Sequence, residues 1–339
     1  METHLTFKVA INGFGRIGRM VLRALYETGR HDIEIVAIND LAEASRLTHL
    51  LKYDSVHGPF PLPVTSDEAH IMVDGKAIPV HSERDPENLP WKDYDIDIVM
   101  ECTGFFLTQE LARKHISAGA KRVLLSAPAK DDTKTIVYGV NDNEIQADDV
   151  IISNASCTTN ALAPLLKVLH KKYGVANGLL TTIHAYTGDQ PTHDSMHKDA
   201  YRGRAAAVSM VPTTTGAAKA IGKVLPNLDG RLSGVAVRVP VSNVSMVDLS
   251  VTTEKPANVI DIQKAFKHES QKNDYRIMGY IDEKLVSCDV NHNPHSCNFI
   301  EDKTLVQGEH LVRVMAWYDN EWGFSNRMLD TASVMSKFL

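Results

Sequence analysis

Short apolar runs alternate with helical stripes along the first half of the chain. The apolar runs cover residues 7–11, 33–38, 96–100, 123–125 and 150–152. Two intervening segments carry apolar residues at helical spacing, at Met20, Leu22, Leu25, Leu47, Leu50 and Leu51. Buried strands that are separated by helices are typical of a parallel, doubly wound sheet. We therefore expect an α/β first half.

The second half changes character, because longer β-rich runs replace the alternation. They cover residues 179–184, 234–239, 244–252 and 311–318. Val247, Leu249 and Val251 alternate with polar residues, which is the pattern of a sheet that packs on one face. This predicts a second, α+β domain with a mostly antiparallel sheet.

A last helix is predicted at the end of the chain, with Ser325 as its N-cap. Its apolar positions are Met328, Leu329, Val334, Met335 and Phe338. We interpret the chain as a first domain over 1–155, a second over 156–324 and a terminal helix over 325–339. The pattern of that helix does not determine where it docks.

Composition narrows the class of protein. The chain has 339 residues, 43% hydrophobic and 23% charged, with a formal charge of −6, as in soluble globular proteins. This charge argues against an obligatory nucleic-acid partner. Four cysteines in a chain of this length do not suggest a disulfide framework. With no secretory signal and no membrane-length apolar stretch, a cytoplasmic location is expected.

The first strand is followed by a glycine-rich turn with Gly13, Gly15 and Gly18. Glycines at these positions permit a tight turn, close approach of a pyrophosphate and close packing of helix on strand. Asp40 lies 22 positions after Gly18, at the end of the second strand, where a carboxylate binds the adenosine ribose. The pattern predicts a Rossmann-type dinucleotide site. Because Asp40 would repel the 2′-phosphate of NADP, the expected cofactor is NAD.

Cys157 lies between an apolar run that ends at Ile152 and a helical stripe that begins at Leu162. The N-terminus of a helix favours negative charge, so this position is expected to lower the pKa of the thiol and to make it nucleophilic. The alternative is an inert, buried cysteine. His184 ends a predicted strand and is the best-placed base for such a thiol, although it could equally be an interior histidine.

Other histidines do not predict a metal site. His193 and His197 are four residues apart, and His292 and His295 are also close in sequence. Neither pair has a recognisable third ligand, so no metal is expected.

Six motifs together resemble one family, the phosphorylating glyceraldehyde-3-phosphate dehydrogenases of the bacterial type, over essentially the full length. They are INGFGRIGR (11–19), SNASCTTN (153–160), HAYTGDQ (184–190), PTTTGAAKA (212–220), RVP (238–240) and WYDNEWG (317–323).

The resemblance implies an oxidation of glyceraldehyde 3-phosphate to 1,3-bisphosphoglycerate. Cys157 would be the nucleophile that carries a thioester, and His184 its acid–base partner. Inorganic phosphate would then release the acyl group. Residues that match the family's sites for the two phosphates are Ser156, Thr158, Thr187, Arg202, Thr215, Gly216 and Arg238.

The same resemblance implies how the cofactor is held. Residues that match the family's NAD site, beyond the three glycines and Asp40, are Arg16, Ile17, Arg84, Thr103, Ser126 and Asn320. The segment 186–210 corresponds to a loop that reaches a neighbouring subunit in the family's homotetramer. The last helix would pack on the nucleotide-binding domain.

Two departures and two alternatives accompany this interpretation. Phe324 replaces a tyrosine that many members have, and Met196 replaces a proline that is frequent in NAD-specific members. Erythrose-4-phosphate dehydrogenase has the same cysteine and histidine, but Thr187, Asp189 and residues 213–216 favour the triose enzyme. A mainly binding or adhesion role is the second alternative, although every catalytic position is retained.

Overall fold

The computed structural model describes residues 6–272 and 276–339. These residues divide into two compact units. The first combines the described part of Met1–Ile136 with Asp142–Ala155 and Ser325–Leu339. The second combines Val137–Asn141 with the described part of Ser156–Phe324.

The first unit alternates strands and helices, as its apolar pattern predicts. Its strands within the described residues are β1 (Phe7–Asn12), β2 (Ile33–Asn39), β3 (Tyr53–Asp54), β4 (Gly58–Pro59), β5 (Val64–Ser66), β6 (His70–Val73), β7 (Lys76–His81), β8 (Ile98–Glu101), β9 (Arg122–Leu125) and β10 (Ile151–Ser153). Its helices include α1 (Arg16–Glu27), α2 (Ala44–Lys52) and α3 (Gln109–Ser117).

The main sheet of this unit has the strand order β10-β9-β8-β1-β2-β7-β6-β5. Strands β10 to β7 in this order pair in parallel, whereas β5, β6 and β7 form antiparallel hairpins at one edge. The strand order reverses between β1 and β8, which is where such sheets bind dinucleotides. The doubly wound parallel sheet is confirmed; the antiparallel edge was not predicted.

The terminal helix, α7 (Trp322–Ser336), begins three residues before the predicted start. Asp319 accepts hydrogen bonds from the backbone N–H groups of Glu321 and Trp322, at 2.9 and 2.7 Å, and so caps the helix. Ser325 is buried inside the helix. The prediction that Ser325 is the N-cap is wrong, because an aspartate upstream supplies the acceptor.

The segment Ser325–Leu339, which contains most of α7, belongs to the first unit and makes hydrogen bonds to earlier parts of it. Arg30 donates to Asp330 at 2.6 Å, and Thr331 donates to Asn154 at 2.7 Å. Arg122 donates to the carbonyl oxygen of Phe338 at 2.8 Å. These bonds join the end of the chain to segments about 200 to 300 residues earlier, which the periodicity of the helix does not reveal.

The second unit is built on a mostly antiparallel sheet, as predicted. Its elements within the described residues are α4 (Cys157–Tyr173), β11 (Val175–Ala185), β12 (Val211–Thr214), α5 (Ala217–Val224), β13 (Leu232–Val239), β14 (Ser245–Thr253), α6 (Val259–Ser270), β15 (Met278–Ile281), β16 (Cys297–Ile300), β17 (Leu305–Gln307) and β18 (Leu311–Tyr318). The strand order is β12-β13-β11-β14-β18-β16-β15, with β17 paired to β18.

Alternation in this sheet separates a buried face from an exposed one. In β14, Ser245, Val247, Leu249 and Val251 are buried, and the residues between them are only partly so. Helix α4 packs against β11 and β14. Cys157 is the first residue of α4. The residues that surround its thiol are therefore expected on the buried face of this sheet.

Candidate active site

The glycine turn between β1 and α1 is tightly packed at two of its three glycines. Gly13 has φ of +91°, and a Cβ there would lie 2.8 Å from the backbone nitrogen of Thr103. A Cβ on Gly18 would lie 2.2 Å from the carbonyl oxygen of Gly13. Gly15 is exposed, and no atom of the described residues lies within 4 Å of its Cβ position. Only Gly15 therefore leaves room for a ligand.

Helix α1 starts directly behind this turn, with Gly15 as its N-cap. Among the described residues, no side chain makes a capping hydrogen bond to it. Backbone N–H groups at such a helix start suit a pyrophosphate. The Arg16 side chain itself turns to Asp54, to which its Nη1 donates at 2.5 Å. Binding through the backbone of Arg16 and Ile17 thus fits the geometry.

A cavity of about 580 Å³ opens beside the turn. Its lining includes Asn12, Gly13, Gly15, Asn39, Asp40, Leu41, Glu83, Arg84, Cys102, Thr103, Phe105 and Phe106. One oxygen of Asp40 accepts the Phe14 N–H at 2.8 Å, which ties the turn to the end of β2. Ser126 follows β9 and is not among these lining residues. The cavity combines apolar walls, the carboxylates of Asp40 and Glu83 and a helix start, which fits an adenine dinucleotide.

Cys157 and His184 lie together in the second unit. Cys157 is the first residue of α4, and Ser156 caps this helix by accepting the Thr159 N–H at 3.1 Å. His184 lies near the end of β11 and is 4% exposed. The Cys157 Sγ and the His184 Nε2 are 3.5 Å apart. The thiol and the imidazole are therefore within hydrogen-bonding distance.

The surroundings of His184 determine which ring nitrogen carries the proton. Its Nδ1 lies 2.6 Å from the carbonyl oxygen of Ala185 and 3.0 Å from Nη1 of Arg238, which also donates to that oxygen. We assign the proton to Nδ1 on the shorter contact, that to the Ala185 oxygen, which can only accept. Nε2 then has a free lone pair that faces the thiol. Burial first, and then the charge of Arg238, lowers the pKa of His184 to about 3. His184 is therefore neutral at physiological pH and oriented as a base.

The predicted lowering of the cysteine pKa is wrong for the ligand-free protein. Burial raises the pKa of the Cys157 thiol, and the opposing effects of Arg238 and of Thr158 compensate only in part. The sequence identifies the helix start but not the depth at which the sulfur lies, and desolvation disfavours a thiolate. The thiol is thus protonated at neutral pH, with a base ready to accept its proton.

Buried polar side chains on β14 and β18 lie next to this pair. Ser245 in β14 and Tyr318 in β18 are cross-strand neighbours. On the other side of β14, Ile183 of β11 pairs with Met246, so the next residue, His184, lies beside Ser245. The Tyr318 hydroxyl lies 2.9 Å from the hydroxyls of both Thr158 and Thr182. The hydroxyl of Thr158 is therefore engaged in the interior of the unit.

Ser245 links the histidine segment to Asn320. It accepts the Ala185 N–H at 3.0 Å and donates to Oδ1 of Asn320 at 2.8 Å. Sequence reasoning assigned no role to Ser245 or Tyr318. The signal was available, because both are polar residues at inward positions of strands whose other inward residues are mostly apolar.

Positive charge and hydroxyl groups surround the pair. Arg238 Nη1 donates to the Ala185 carbonyl oxygen at 3.0 Å and to the Thr187 hydroxyl at 3.2 Å. Arg202 donates to Asp189 at 2.9 Å and to the Thr213 hydroxyl at 3.0 Å. Two guanidinium groups whose charges both act on His184 suit an anionic substrate.

A second helix start lies in the same unit at Gly216, the N-cap of α5. Gly216 itself has no side chain to cap this helix, and a Cβ on Gly216 would have no neighbour within 4 Å among the described residues. The Thr215 hydroxyl accepts the Ala217 N–H at 3.2 Å. The helix start and the adjacent hydroxyl can accommodate a small anion.

Neither metal binding nor membrane insertion has a structural signal in the described residues. Over 6–272 and 276–339, no three histidine, cysteine, aspartate or glutamate residues are grouped as metal ligands. In the same ranges, no helix has both the length and the apolar character needed to cross a membrane.

The doubly wound sheet, its glycine turn and the cysteine–histidine pair are features of NAD-dependent dehydrogenases. Residues 7–109 match the family model "Glyceraldehyde 3-phosphate dehydrogenase, NAD binding domain", and residues 156–320 match the "C-terminal domain" of the same family. The chain belongs to the glyceraldehyde-3-phosphate dehydrogenase family. The family and the cofactor NAD, both expected from the motifs, are confirmed.

Relatives resemble the chain over nearly its whole length. A "Glyceraldehyde-3-phosphate dehydrogenase" of Cereibacter sphaeroides is 55% identical over 335 residues, which is 99% of this chain and 100% of the relative. A plasmid-encoded one of Cupriavidus necator is 55% identical over 98% of this chain and 99% of its own length. "Glyceraldehyde-3-phosphate dehydrogenase 2" of Bacillus subtilis is 51% identical over 95% of each chain.

Proposed function

We propose that this chain oxidises glyceraldehyde 3-phosphate with NAD and phosphorylates the product to 1,3-bisphosphoglycerate, through a thioester on Cys157. The observation that carries the proposal is the 3.5 Å approach of Cys157 Sγ to the unprotonated Nε2 of His184, next to Arg238. The names of the relatives favour this substrate over erythrose 4-phosphate and over a mainly binding role.

The first step forms a bond between Cys157 and the aldehyde. His184 Nε2 accepts the thiol proton while the sulfur adds to the carbonyl carbon, and the proton then moves to the new alkoxide. The product is a hemithioacetal on Cys157. The backbone N–H of Cys157, at the start of α4, stabilises the developing oxyanion.

Oxidation and release follow at the same carbon. NAD, when bound, supplies the hydride acceptor. His184 takes the hydroxyl proton as the hydride departs, which leaves a thioester on Cys157 and an imidazolium. Phosphate then adds to the thioester carbon, the carbon–sulfur bond breaks, and the thiolate leaves. A thiol suits both steps, since it is a strong nucleophile and a good leaving group.

Two anion sites are proposed in the second unit. Thr187 and Arg238 hold the phosphate of the substrate, with Arg202 beside them. The attacking phosphate binds at Thr215 and Gly216, with help from Ser156 and Thr158. Because Tyr318 engages the Thr158 hydroxyl, we assign this contact to the backbone of Thr158.

The cofactor site is proposed in the domain 1–155, to which the helix 325–339 returns, and the chemistry in the domain 156–324. Gly13, Gly15 and Gly18 shape the turn, and Arg16 and Ile17 offer backbone N–H groups. Asp40 binds the adenosine ribose. Arg84 would contact the adenine, and Thr103 and Ser126 would contact other parts of the cofactor. Asn320 would bind the nicotinamide amide through Nδ2, since Ser245 already occupies its Oδ1.

A homotetramer in the cytoplasm is also proposed. In the segment 186–210, Met196 is 98% exposed and Val208 is 78% exposed. Exposing large apolar side chains to water is unfavourable, so these residues suggest a surface that another subunit covers. On the outer face of the second sheet, Leu179 and Val235 are 67% and 54% exposed. The four cysteines are not joined in disulfides, which suits a reducing compartment.

A burst experiment tests the thioester. Without phosphate, enzyme mixed with NAD and glyceraldehyde 3-phosphate should form about one reduced cofactor per active site and then stop; added phosphate should start turnover. Cys157→Ser should abolish both phases while NAD binding persists. Cys288→Ser, a change at an exposed cysteine, is the matched control and should retain both. Steady turnover without phosphate would contradict the mechanism.

A further inference from the structure

The last residues of three adjacent parallel strands form a buried polar row beneath the cavity of the first unit. Asn39, Asn12 and Glu101 end β2, β1 and β8 and lie in register. Asn39 donates to Oδ1 of Asn12 at 2.7 Å, and Asn12 donates to Oε2 of Glu101 at 2.6 Å. The row crosses the reversal point of the sheet, where a dinucleotide binds.

The Glu101 carboxyl group accepts hydrogen bonds from four donors. The N–H and hydroxyl of Thr103 donate to Oε1, the N–H at 2.8 Å. Asn12 and His115 donate to Oε2, the latter at 3.0 Å. The Thr103 hydroxyl accepts the Phe105 N–H, so its own proton points to Glu101. A carboxyl group surrounded only by donors is ionised.

The imidazole of His115 does not neutralise this carboxylate. Trp91 Nε1 donates to Nδ1 of His115 at 3.0 Å, and an indole N–H can only donate. Nδ1 therefore carries no proton, and His115 is neutral with its proton on Nε2. Within the described residues, no lysine or arginine pairs with Glu101. Its negative charge therefore has no paired cation, and because Glu101 is fully buried, water screens that charge only weakly.

The charge of Glu101 acts on the wall of the cavity. Cys102, which lines the cavity, has its pKa raised to about 12, first by burial and then by the Glu101 charge. Asn12 and Thr103, both bonded to Glu101, also line the cavity.

A bound dinucleotide would carry its variable charge on the β8 side of the crevice. In sheets of this kind the adenosine lies on the side of the β2 carboxylate, here Asp40, so the other nucleotide would extend across β1 toward β8, where Glu101 lies. The nicotinamide ring is cationic when oxidised and neutral when reduced, and all other parts of the two forms are the same.

We propose that the buried charge of Glu101 makes the site discriminate between the two redox forms, favouring oxidised over reduced cofactor. Glu101 acts through its electric field and through the residues that it positions. This inference rests on the proposed cofactor site and assigns an electrostatic determinant of its preference.

The test compares dissociation constants of NAD⁺ and NADH by calorimetry on the ligand-free protein. Glu101→Gln removes the charge and keeps the shape. We expect NAD⁺ affinity to fall roughly 3- to 10-fold relative to NADH affinity, the size of effect expected for one weakly screened unit charge in a protein. Thr103→Val, which cuts a hydrogen bond but keeps the carboxylate, should change both affinities by the same factor.

A charge exchange provides the rescue. In the double variant Glu101→Gln with Asn12→Asp, the new amide donates to the new carboxylate, and Asn39 keeps its acceptor. The negative charge then lies at position 12 in β1, one strand away from position 101 in β8, so the preference for NAD⁺ should recover. A double variant that behaves like Glu101→Gln alone would overturn the proposal.

Thermal unfolding of each ligand-free variant checks that it folds. If Glu101→Gln does not fold, His115→Lys replaces it, since an ammonium against the carboxylate cancels the charge and should lower the NAD⁺ preference equally. Equal changes for the two redox forms, with binding retained, would refute this inference alone. A wild-type protein that binds neither form would instead refute the proposed cofactor site.

Discussion

At the scale of single residues, burial decides the chemistry of the cysteine–histidine pair. Cys157 is protonated and His184 is neutral because both are desolvated, although each would ionise more readily in water. The Ala185 carbonyl then orients the ring so that its free lone pair faces the sulfur. The pair is thus prepared to transfer a proton as the aldehyde arrives.

The depressed pKa of His184 predicts a stability change with pH. The group is neutral in the folded protein down to a pKa of about 3 but ionises near 6.5 when unfolded. Its contribution is therefore complete above pH 6.5 and is lost as pH falls toward 3. Between pH 6.5 and 4 this amounts to about 3 kcal/mol. Urea unfolding at a series of pH values should show this decrease in the free energy of unfolding of the wild type, and His184→Asn should lack the part due to the histidine. The same dependence of unfolding free energy on pH in both proteins would contradict the assignment.

Two hydroxyl groups should separate the two anion sites. Thr187→Val is expected to raise KM for glyceraldehyde 3-phosphate about 10-fold, the effect of one hydrogen bond to a charged group. Thr215→Val should raise KM for phosphate similarly and leave the aldehyde KM nearly unchanged. Each variant is the control for the other in steady-state kinetics. Parallel increases in both constants in both variants would argue for a single shared site.

At the scale of elements, helix starts and strand ends hold the sites. Helix α1 begins without a side-chain cap, whereas Ser156 caps α4 beside Cys157. Asp319 begins α7 upstream of the predicted Ser325. Boundaries of this kind depend on which acceptor the folded chain brings to the first turn, so the apolar stripe alone cannot locate them.

Two glycines of the first turn should differ in their roles, Gly18 in the stability of the fold and Gly15 in the binding of NAD. Gly18→Ala places a Cβ about 2.2 Å from the Gly13 carbonyl oxygen and should cost about 2–4 kcal/mol of stability. Gly15→Ala meets no atom of the described residues, so it should fold with near wild-type stability but bind NAD weakly. Denaturant titration and calorimetry measure the two effects. Normal NAD binding by Gly15→Ala would contradict the pyrophosphate contact.

At the scale of the whole molecule, exposed apolar surface predicts self-association. We expect a mass near 150 kDa by light scattering, four times the 37.5 kDa chain. Leu179→Glu combined with Val235→Glu should reduce that mass, because two charges on one face resist burial. Ile260→Glu alters an equally exposed apolar residue on α6 and is the control. An unchanged mass in the double variant would exclude this face as an interface.

The sequence alone determined the two-part α/β and α+β architecture, the family, NAD and the candidate Cys157 and His184, because period, turn chemistry and motifs are local properties. It did not determine the antiparallel edge at β5–β7, the cap of α7 or the raised thiol pKa. Nor did it identify the row of Asn39, Asn12 and Glu101 or the support of His184 by Ser245 and Tyr318. Those features arise where segments distant in sequence are packed together and desolvated, so only the tertiary structure decided them.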